Sequence, residues 1–329
     1  MLRKSLQATF FFFFLGTALF TTAQDNAAYQ EPPKAIKDLV LSKPTPGVSI
    51  NKGAEWMLLL ERSDFPQIAE LAEHELRIAG QRINPTNFGP SRTGSSTNIQ
   101  VKNIKANKVY DIEGLPANLR ASSVQWSPNE QQFAFVHSGE REIDLYVVKL
   151  SDRKAVKVNK NPLNLVLGNS YQWAGDNMLV YKTIVPGHQL TAKAGAPSGP
   201  IVQENLGRAA ASRTYQDLIK NAYDEALFEY YATSQLATNN LQAETPIGTP
   251  QLYRSFNVSP NNQYILTSTI HKPFSYLVTA FGFPHSVDVL NMQGGLVKHL
   301  ALNPSTEGAP IGFDDVANFP RSFNWRDDE

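Results

Sequence analysis

Apolar and polar residues alternate over short segments along most of the chain, and turn-forming residues separate these segments. In the clearest unit, an apolar segment ends at Trp126, the turn Ser127–Glu130 follows, and a second apolar segment begins at Phe133. Proline presets φ for a turn, while serine and asparagine side chains bond to nearby backbone. The aromatic and β-branched residues on both sides favour pleated strands. The pattern predicts two antiparallel strands joined by a tight turn.

The same unit recurs along the chain. Its closest copy ends a segment at Val258 and starts the next at Ile265, with the same spacing of seven residues as from Trp126 to Phe133. Weaker copies and an incomplete fifth unit are marked by Ile50, Trp173 and Trp325.

One interval, from Trp126 to Trp173, is 47 residues, and the others are longer. A repeat of ~40–50 residues with about four strands is typical of β-propeller blades. The alternative is a β-sandwich, in which such units recur at shorter spacing. We therefore predict an all-β fold: a partial β-propeller of about four blades, each a four-stranded antiparallel sheet, with a helical insertion.

Two stretches interrupt the repeat and are predicted insertions, at about residues 64–98 and 186–246. The first predicts a helix, because Asp64 stands near the cap, Pro66 lies in the first turn and helix-forming residues continue to Leu76. Glycine, proline and small polar residues then predict a loop over residues 84–98.

The second insertion is rich in Gly, Ala and Pro as far as Pro200. Beyond it, Thr214–Asp217 resembles a capping box, and apolar residues recur at helical spacing up to Tyr231. We predict an amphipathic helix pair packed on the side or rim of the propeller. A helix that binds a partner is the alternative.

The first residues predict export. Arg3 and Lys4 precede an apolar run from Ala8 to Phe20, and small residues follow as far as Ala23. The run is shorter than the ~20 residues that a membrane-spanning helix needs, which favours a cleaved secretory signal over an uncleaved anchor. We assign residues 1–23 to the signal peptide and residues 24–329 to the propeller domain, secreted or periplasmic.

The amino-acid composition argues against several classes of function. The 329 residues carry 30 Lys and Arg against 30 Asp and Glu, which argues against a nucleic-acid partner. Cysteine is absent, so the chain offers neither a disulfide framework nor a thiolate nucleophile. The six histidines are scattered, and we predict neither a metal site nor a cofactor. No zinc-protease, phosphate-loop or nucleophile-elbow motif is found in the sequence.

Several segments nevertheless resemble one family. The sequence is similar to glutamyl endopeptidase-like members of the prolyl oligopeptidase family over nearly all of the chain after the signal. The most specific part of the resemblance is the second insertion, and the segments that carry it are Glu204–Arg208, Arg213–Leu218, Tyr223–Tyr231, Ile68–Ala72, Glu75–Gly80 and Ile270–Ser275.

The resemblance implies a serine peptidase whose propeller caps an α/β-hydrolase domain and limits access to the chamber between them. The Ser-Asp-His triad of the family lies wholly in that hydrolase domain. The sequence ends at Glu329, inside a blade-like unit, so no catalytic residue is carried over. We expect the chain alone to be inactive. An open arc of blades leaves apolar faces uncovered, so we also expect it to be marginally stable or to self-associate.

The resemblance further implies peptide substrates, and a glutamate side chain would require cationic groups where it binds. Arg254, His271 and Lys272 lie near blade-like turns and are the candidate substrate-binding residues. The competing function is a non-catalytic secreted propeller that binds a glycan or protein. A third is a propeller glycosidase, which would need two carboxylates in a cleft. The sequence leaves the oligomeric state open.

Overall fold

The computed structural model of the chain describes residues 31–63, 65–66, 68–190, 215–309 and 317–326. The chain divides into two compact units, Met1–Lys43 and Pro44–Glu329. In the first unit, the described residues form helix α1 (Lys34–Val40), which follows Pro33 and buries none of its side chains. Among the described residues, no helix has both the length and the apolar character needed to cross a membrane.

The described part of the second unit is mostly strand. Its helices are α2 (Ile68–Ala72) and α3 (Ala222–Ala232). In chain order its strands are β1 (Gly47–Ile50), β2 (Trp56–Arg62), β3 (Leu76–Ile78), β4 (Gln81–Asn84), β5 (Gly89–Pro90), β6 (Ser96–Asn103), β7 (Lys108–Asp111), β8 (Ala121–Trp126), β9 (Gln132–Ser138), β10 (Ile143–Lys149), β11 (Ala155–Lys157), β12 (Tyr171–Trp173), β13 (Leu179–Thr183), β14 (Ser234–Asn239), β15 (Glu244–Gln251), β16 (Tyr253–Val258), β17 (Tyr264–Ile270), β18 (His285–Asn291) and β19 (Leu296–Asn303).

Four sheets of four antiparallel strands follow one another along the chain. Blade 1 is β1-β2-β6-β7, blade 2 is β8-β9-β10-β11, blade 3 is β12-β13-β14-β15 and blade 4 is β16-β17-β18-β19. A single bridge, Ser96 to Ala121, joins the first two blades. The all-β prediction of about four propeller blades is confirmed, and within the described residues the blades form an open series.

The repeat read from the sequence coincides with the blades. Ile50, Trp126, Trp173 and Val258 are each the last residue of the first strand of a blade. Trp126 packs toward blade 1, and Val258, which is buried, packs toward blade 3. The two residues therefore hold equivalent positions between successive blades.

The two Ser-Pro-Asn turns also have matching hydrogen bonds. Ser127 Oγ donates to Asn129 Oδ1 at 2.8 Å, and Ser259 Oγ donates to Asn261 Oδ1 at 2.7 Å. Because these bonds are local, the same short sequence forms the same turn in two different blades.

The core lies between neighbouring blades. Strand β13 shows why: Leu179 and Tyr181 pack toward blade 2, whereas the alternate residue Val180 packs toward blade 4. Successive side chains of a strand point to opposite faces, so a blade covered on both sides has nearly continuous apolar strands. Fully burying one such side chain contributes roughly 1.5–3 kcal/mol.

The first predicted insertion differs from its prediction. The helix covers Ile68–Ala72 and does not reach Leu76, which begins strand β3. Ala79 and Gly80, at φ 52° and 74°, reverse the chain into β4 and complete a small sheet with β5. The prediction of a loop over residues 84–98 is also wrong in part. Asn84 is the last residue of β4, Gly89–Pro90 forms β5, and β6 begins at Ser96.

The second predicted insertion is shorter than expected. Helix α3 begins after Asn221, whose side chain accepts a 2.9 Å hydrogen bond from the Asp224 backbone N–H, and the described residues from 215 to 221 are not helical. The predicted start at Thr214 lies outside the described residues. The predicted end at residue 246 is wrong, because Ser234–Asn239 and Glu244–Gln251 are blade strands β14 and β15. Their place depends on pairing with β13, some 50 residues earlier, which local pattern does not encode.

An antiparallel order of four strands places the short turns after the first and third strands at one end of the blades, here called the turn end. The connections after the second strand lie at the other end, here called the connection end. The long connections of blades 1, 3 and 4 therefore share the connection end. They bury a common apolar cluster that includes Ile78, Phe228, Val278 and Phe283.

Candidate functional site

The three substrate-binding residues predicted from the sequence lie at the connection end. Arg254 is near the start of β16, the first strand of blade 4, while His271 and Lys272 directly follow β17. The first strand begins and the second strand ends at the same end of an antiparallel pair. The structure thus brings the three residues to one region of blade 4.

Lys272 is already neutralised. Its Nζ forms a 2.6 Å ion pair with Glu229 of α3 and lies 5.6 Å from the centre of the Phe274 ring. Both charged side chains are exposed, so the pair contributes little to stability. An anionic ligand would have to displace Glu229 to use this cation.

His271 is fixed through its backbone. Its N–H donates a 2.8 Å hydrogen bond to the carbonyl of Pro284, and its side chain is half-buried. The position of this residue therefore depends on the connection that leads into β18.

Arg254 is the cation of this region that remains uncompensated. Its Nη1 lies 3.0 Å from His285 Nε2 and 3.2 Å from His285 Nδ1, and its Cζ lies 5.4 Å from the centre of the Phe281 ring. Among the described residues, no carboxylate lies within 4.0 Å of the Arg254 guanidinium, and Nε and Nη2 make no hydrogen bond. Burial lowers the pKa of Arg254 below its ordinary value, yet an arginine stays charged at neutral pH.

His285, which the sequence did not single out, supports Arg254. It is the first residue of β18 and is buried. Its Nδ1 lies 3.0 Å from the carbonyl of Phe283, and its Nε2 lies 3.1 Å from Asn303 Nδ2. Burial is the main cause that lowers the pKa of His285, and the charges of Arg254 and His271 lower it further, against the hydrogen bond to Phe283. The ring is therefore neutral at neutral pH.

Asn303 completes the arrangement. It is directly opposite His285 in the β18–β19 pair and donates a second hydrogen bond, of 3.0 Å, to the carbonyl of Pro320. Its Oδ1 is buried without a hydrogen-bond partner. No sequence signal could have joined these residues to Arg254, because strand pairing places them together.

The site offers a half-buried guanidinium with two unused donor nitrogens beside an aromatic ring. A planar guanidinium suits a carboxylate, which it can bind through two parallel hydrogen bonds. Among the described residues, no group of three or more His, Cys, Asp or Glu side chains is placed to hold a metal ion. The arrangement can bind and orient an anion, and it supplies no nucleophile.

A second hollow lies at the turn end, with a volume of about 460 Å³. Trp173, Gln172, Asn257, Pro260 and Trp325 contribute to its wall, together with residues of the tight turns. The described wall is uncharged, so this hollow does not compete with Arg254 for an anion.

Sequence comparison relates the chain to curated proteins. It is 31% identical over 317 residues to a probable chloroplastic glutamyl endopeptidase of Oryza sativa subsp. japonica and 30% identical over 318 residues to that of Arabidopsis thaliana. These matches cover 92% of this chain but 34% and 33% of the relatives, so the chain spans about a third of their length. No family model matches it.

Solved structures similar to this chain include peptidases. An acylaminoacyl peptidase of Pyrococcus horikoshii has a TM-score of 0.40 at 11% identity, covering 79% of this chain and 32% of the other. The β-propeller domain of the Trilobed protease from Pyrococcus furiosus has a TM-score of 0.38 at 9% identity, covering 78% and 57%. At about 30% identity over 92% of its length, the chain is thus similar to the probable glutamyl endopeptidases of the two plants, which confirms the resemblance to glutamyl endopeptidases found in the sequence.

Proposed function

We propose that this chain is the N-terminal propeller part of a serine peptidase and that it limits the access of peptides to an α/β-hydrolase domain of the same protein. The observation that carries the proposal is the sequence identity of about 30% to two probable glutamyl endopeptidases over 92% of the chain. Hydrolysis itself belongs to the hydrolase domain, and the propeller contributes selection.

Export is part of the proposal. Residues 1–23 have the charged start, apolar run and small residues of a secretory signal, and they lie outside the described residues. We place the mature protein in a secreted or periplasmic compartment. The plant relatives are named as chloroplastic, which for those proteins is a different destination.

Of the three candidate residues, Arg254 is the one that we propose as the main contact for the substrate. A carboxylate that leaves water needs charge-assisted hydrogen bonds, and the Nε and Nη2 donors of Arg254 are available to form them. Lys272 is already paired with Glu229. The name of the plant relatives points to glutamate as the residue that would present the carboxylate.

The test is to read the frame beyond the Glu329 codon and to express the longer protein. We expect a Gly-x-Ser-x-Gly motif downstream and inhibitor-sensitive cleavage of glutamate-containing peptides. The 329-residue chain alone should cleave none of them. Serine-inhibitor-sensitive cleavage by the short chain, or a native stop codon after Glu329, would overturn the proposal and favour a binding scaffold.

A further inference from the structure

We propose that His285 is a positioning residue that holds the Arg254 guanidinium ready for a peptide carboxylate and releases it when the ring takes up a proton. The inference deepens the proposed function and rests on it for the identity of the ligand. The chemistry recognised is a carboxylate, either of an acidic side chain or of a peptide C-terminus.

The hydrogen bonds define the tautomer of His285. The carbonyl of Phe283, 3.0 Å from Nδ1, can only accept, so Nδ1 carries the proton. Asn303 presents its amide nitrogen to Nε2 at 3.1 Å, and the 3.0 Å contact of that amide with the carbonyl of Pro320 fixes its orientation. Nε2 is therefore the acceptor and has an unprotonated lone pair.

Arg254 depends on that neutral ring. Its Nη1 lies 3.0 Å and 3.2 Å from the two ring nitrogens, so the cation lies close against the imidazole. A neutral imidazole accepts this contact. A protonated one places a second positive charge against the guanidinium and removes the lone pair at Nε2 that accepts from Asn303.

Within the part of the chain that the structure describes, no acid compensates such a second charge. The groups that face His285 are Arg254 from β16, His271 after β17, Asn303 from β19 and Phe319, whose ring centre is 6.5 Å away. Of these, Arg254 is a cation and none is a carboxylate. Among the described residues, no ion pair holds His285 in its charged form.

The free side of Arg254 is suited to the ligand. With Nη1 engaged by His285 and no hydrogen bond from Nε or Nη2 within the described structure, one edge of the guanidinium has two parallel donors available. Phe281, 5.4 Å from Cζ, covers one face of the group. A carboxylate bound at this edge would be partly shielded from water, which strengthens the pair.

The site should therefore lose its ligand in mild acid. Because burial keeps the pKa of His285 below its ordinary value, the ring is neutral at pH 7.5. A glutamate side chain has a pKa near 4.3, so it remains largely ionised down to pH 5. Weakened binding in that pH range therefore reflects a change in the protein and not protonation of the ligand.

The experiment is a titration of the chain with N-acetylglutamate amide, followed by the imidazole NMR signals of His285, from pH 7.5 down to pH 5. The glutamine analogue is the uncharged control, and N-acetylalanine presents a C-terminal carboxylate instead. We expect the glutamate compound to bind at pH 7.5 and its affinity to fall about tenfold or more as His285 protonates. Whichever carboxylate compound binds more tightly identifies the source of the ligand.

Two variants separate positioning from simple structural support. His285→Gln keeps a neutral acceptor for Arg254 and a donor for Phe283, so it should retain binding and lose the dependence on pH. Arg254→Gln should reduce binding about tenfold or more at pH 7.5. Lys298→Gln is the matched control and should change little, because Lys298 is an exposed residue of β19 outside the proposed site. Far-ultraviolet circular dichroism checks that each variant is folded.

Binding that is equal at pH 5 and pH 7.5, or an unchanged pH dependence in the His285→Gln variant, would overturn the role of His285. Equal binding of the glutamate and glutamine compounds would overturn the carboxylate site. These outcomes are independent of peptidase activity, so failure of the proposed function would appear separately, as absent cleavage by the longer protein.

Discussion

The indole Nε1 of Trp325 donates a 3.0 Å hydrogen bond to the backbone carbonyl of Asn257, the residue before Val258 in the first strand of blade 4. The same relationship occurs earlier in the series. Trp173 Nε1 of blade 3 donates to the carbonyl of Gln125 in blade 2, at 3.4 Å. The indole of each later unit is thus tied to the strand of the unit before it.

Trp126 provides a third case, with a side chain as its acceptor. Its Nε1 donates to Ser49 Oγ of blade 1 at 3.1 Å. We expect Trp126→Phe and Ser49→Ala each to lower the free energy of unfolding, and the double variant to lose less than their sum, by about 0.5–1 kcal/mol. Urea unfolding of the four proteins measures this coupling. Strict additivity would show that the bond contributes nothing.

A second link between blades lies at the turn end. The Glu130 carboxylate of blade 2 accepts hydrogen bonds from the backbone N–H groups of Lys52, at 2.5 Å, and Gly53, at 3.1 Å, in the first turn of blade 1. We expect Glu130→Ala to lower the free energy of unfolding by about 1 kcal/mol. The exposed Glu140 provides the matched control, and Glu140→Ala should be nearly neutral. Chemical unfolding that ranks the two variants equally would refute the link.

Lys182 in β13 makes stability depend on pH. It is fully buried, its Nζ donates to the carbonyl of Leu167, and burial lowers its pKa to about 7. The unfolded chain, with a lysine pKa near 10.4, binds more protons than the folded chain above pH 7, so this residue makes stability rise with pH. We expect the rise between pH 7 and pH 9, below the range where tyrosines titrate.

Lys182→Met isolates the contribution of Lys182, because it removes the charge and keeps a long apolar chain. The variant should be more stable than the natural chain at pH 7, and the difference should shrink toward pH 9. Thermal unfolding across this range measures it. A difference that stays constant with pH would mean that Lys182 is protonated in the folded state.

Glycine is required at position 80, in the turn between β3 and β4 at the connection end. Its φ is 74°, and a Cβ there would lie 2.4 Å from Thr279 Cγ2. We expect Gly80→Ala to cost about 2 kcal/mol, through the steric clash and the strained backbone. Gly94→Ala is the matched control, because nothing lies within 4 Å of a Cβ built at Gly94. Similar unfolding free energies for the two variants would show that the connections move apart freely.

The repeat and its turns could be predicted from the amino-acid sequence. The markers Ile50, Trp126, Trp173 and Val258 all end first strands, since turn geometry depends on a few adjacent residues. The sequence also identified Arg254 as a candidate substrate-binding residue.

The other features depend on pairing between segments that are distant in the sequence. Strands β14 and β15 belong to blade 3 because they pair with β13 across a long connection, and no local pattern records such a partner. His285 and Asn303 reach Arg254 for the same reason, because the pairing of β16 with β17, of β17 with β18 and of β18 with β19 brings them to one end of blade 4. Burial and pairing are properties of distant segments brought together, so the state of His285 and the uncompensated charge of Arg254 became visible in the folded chain.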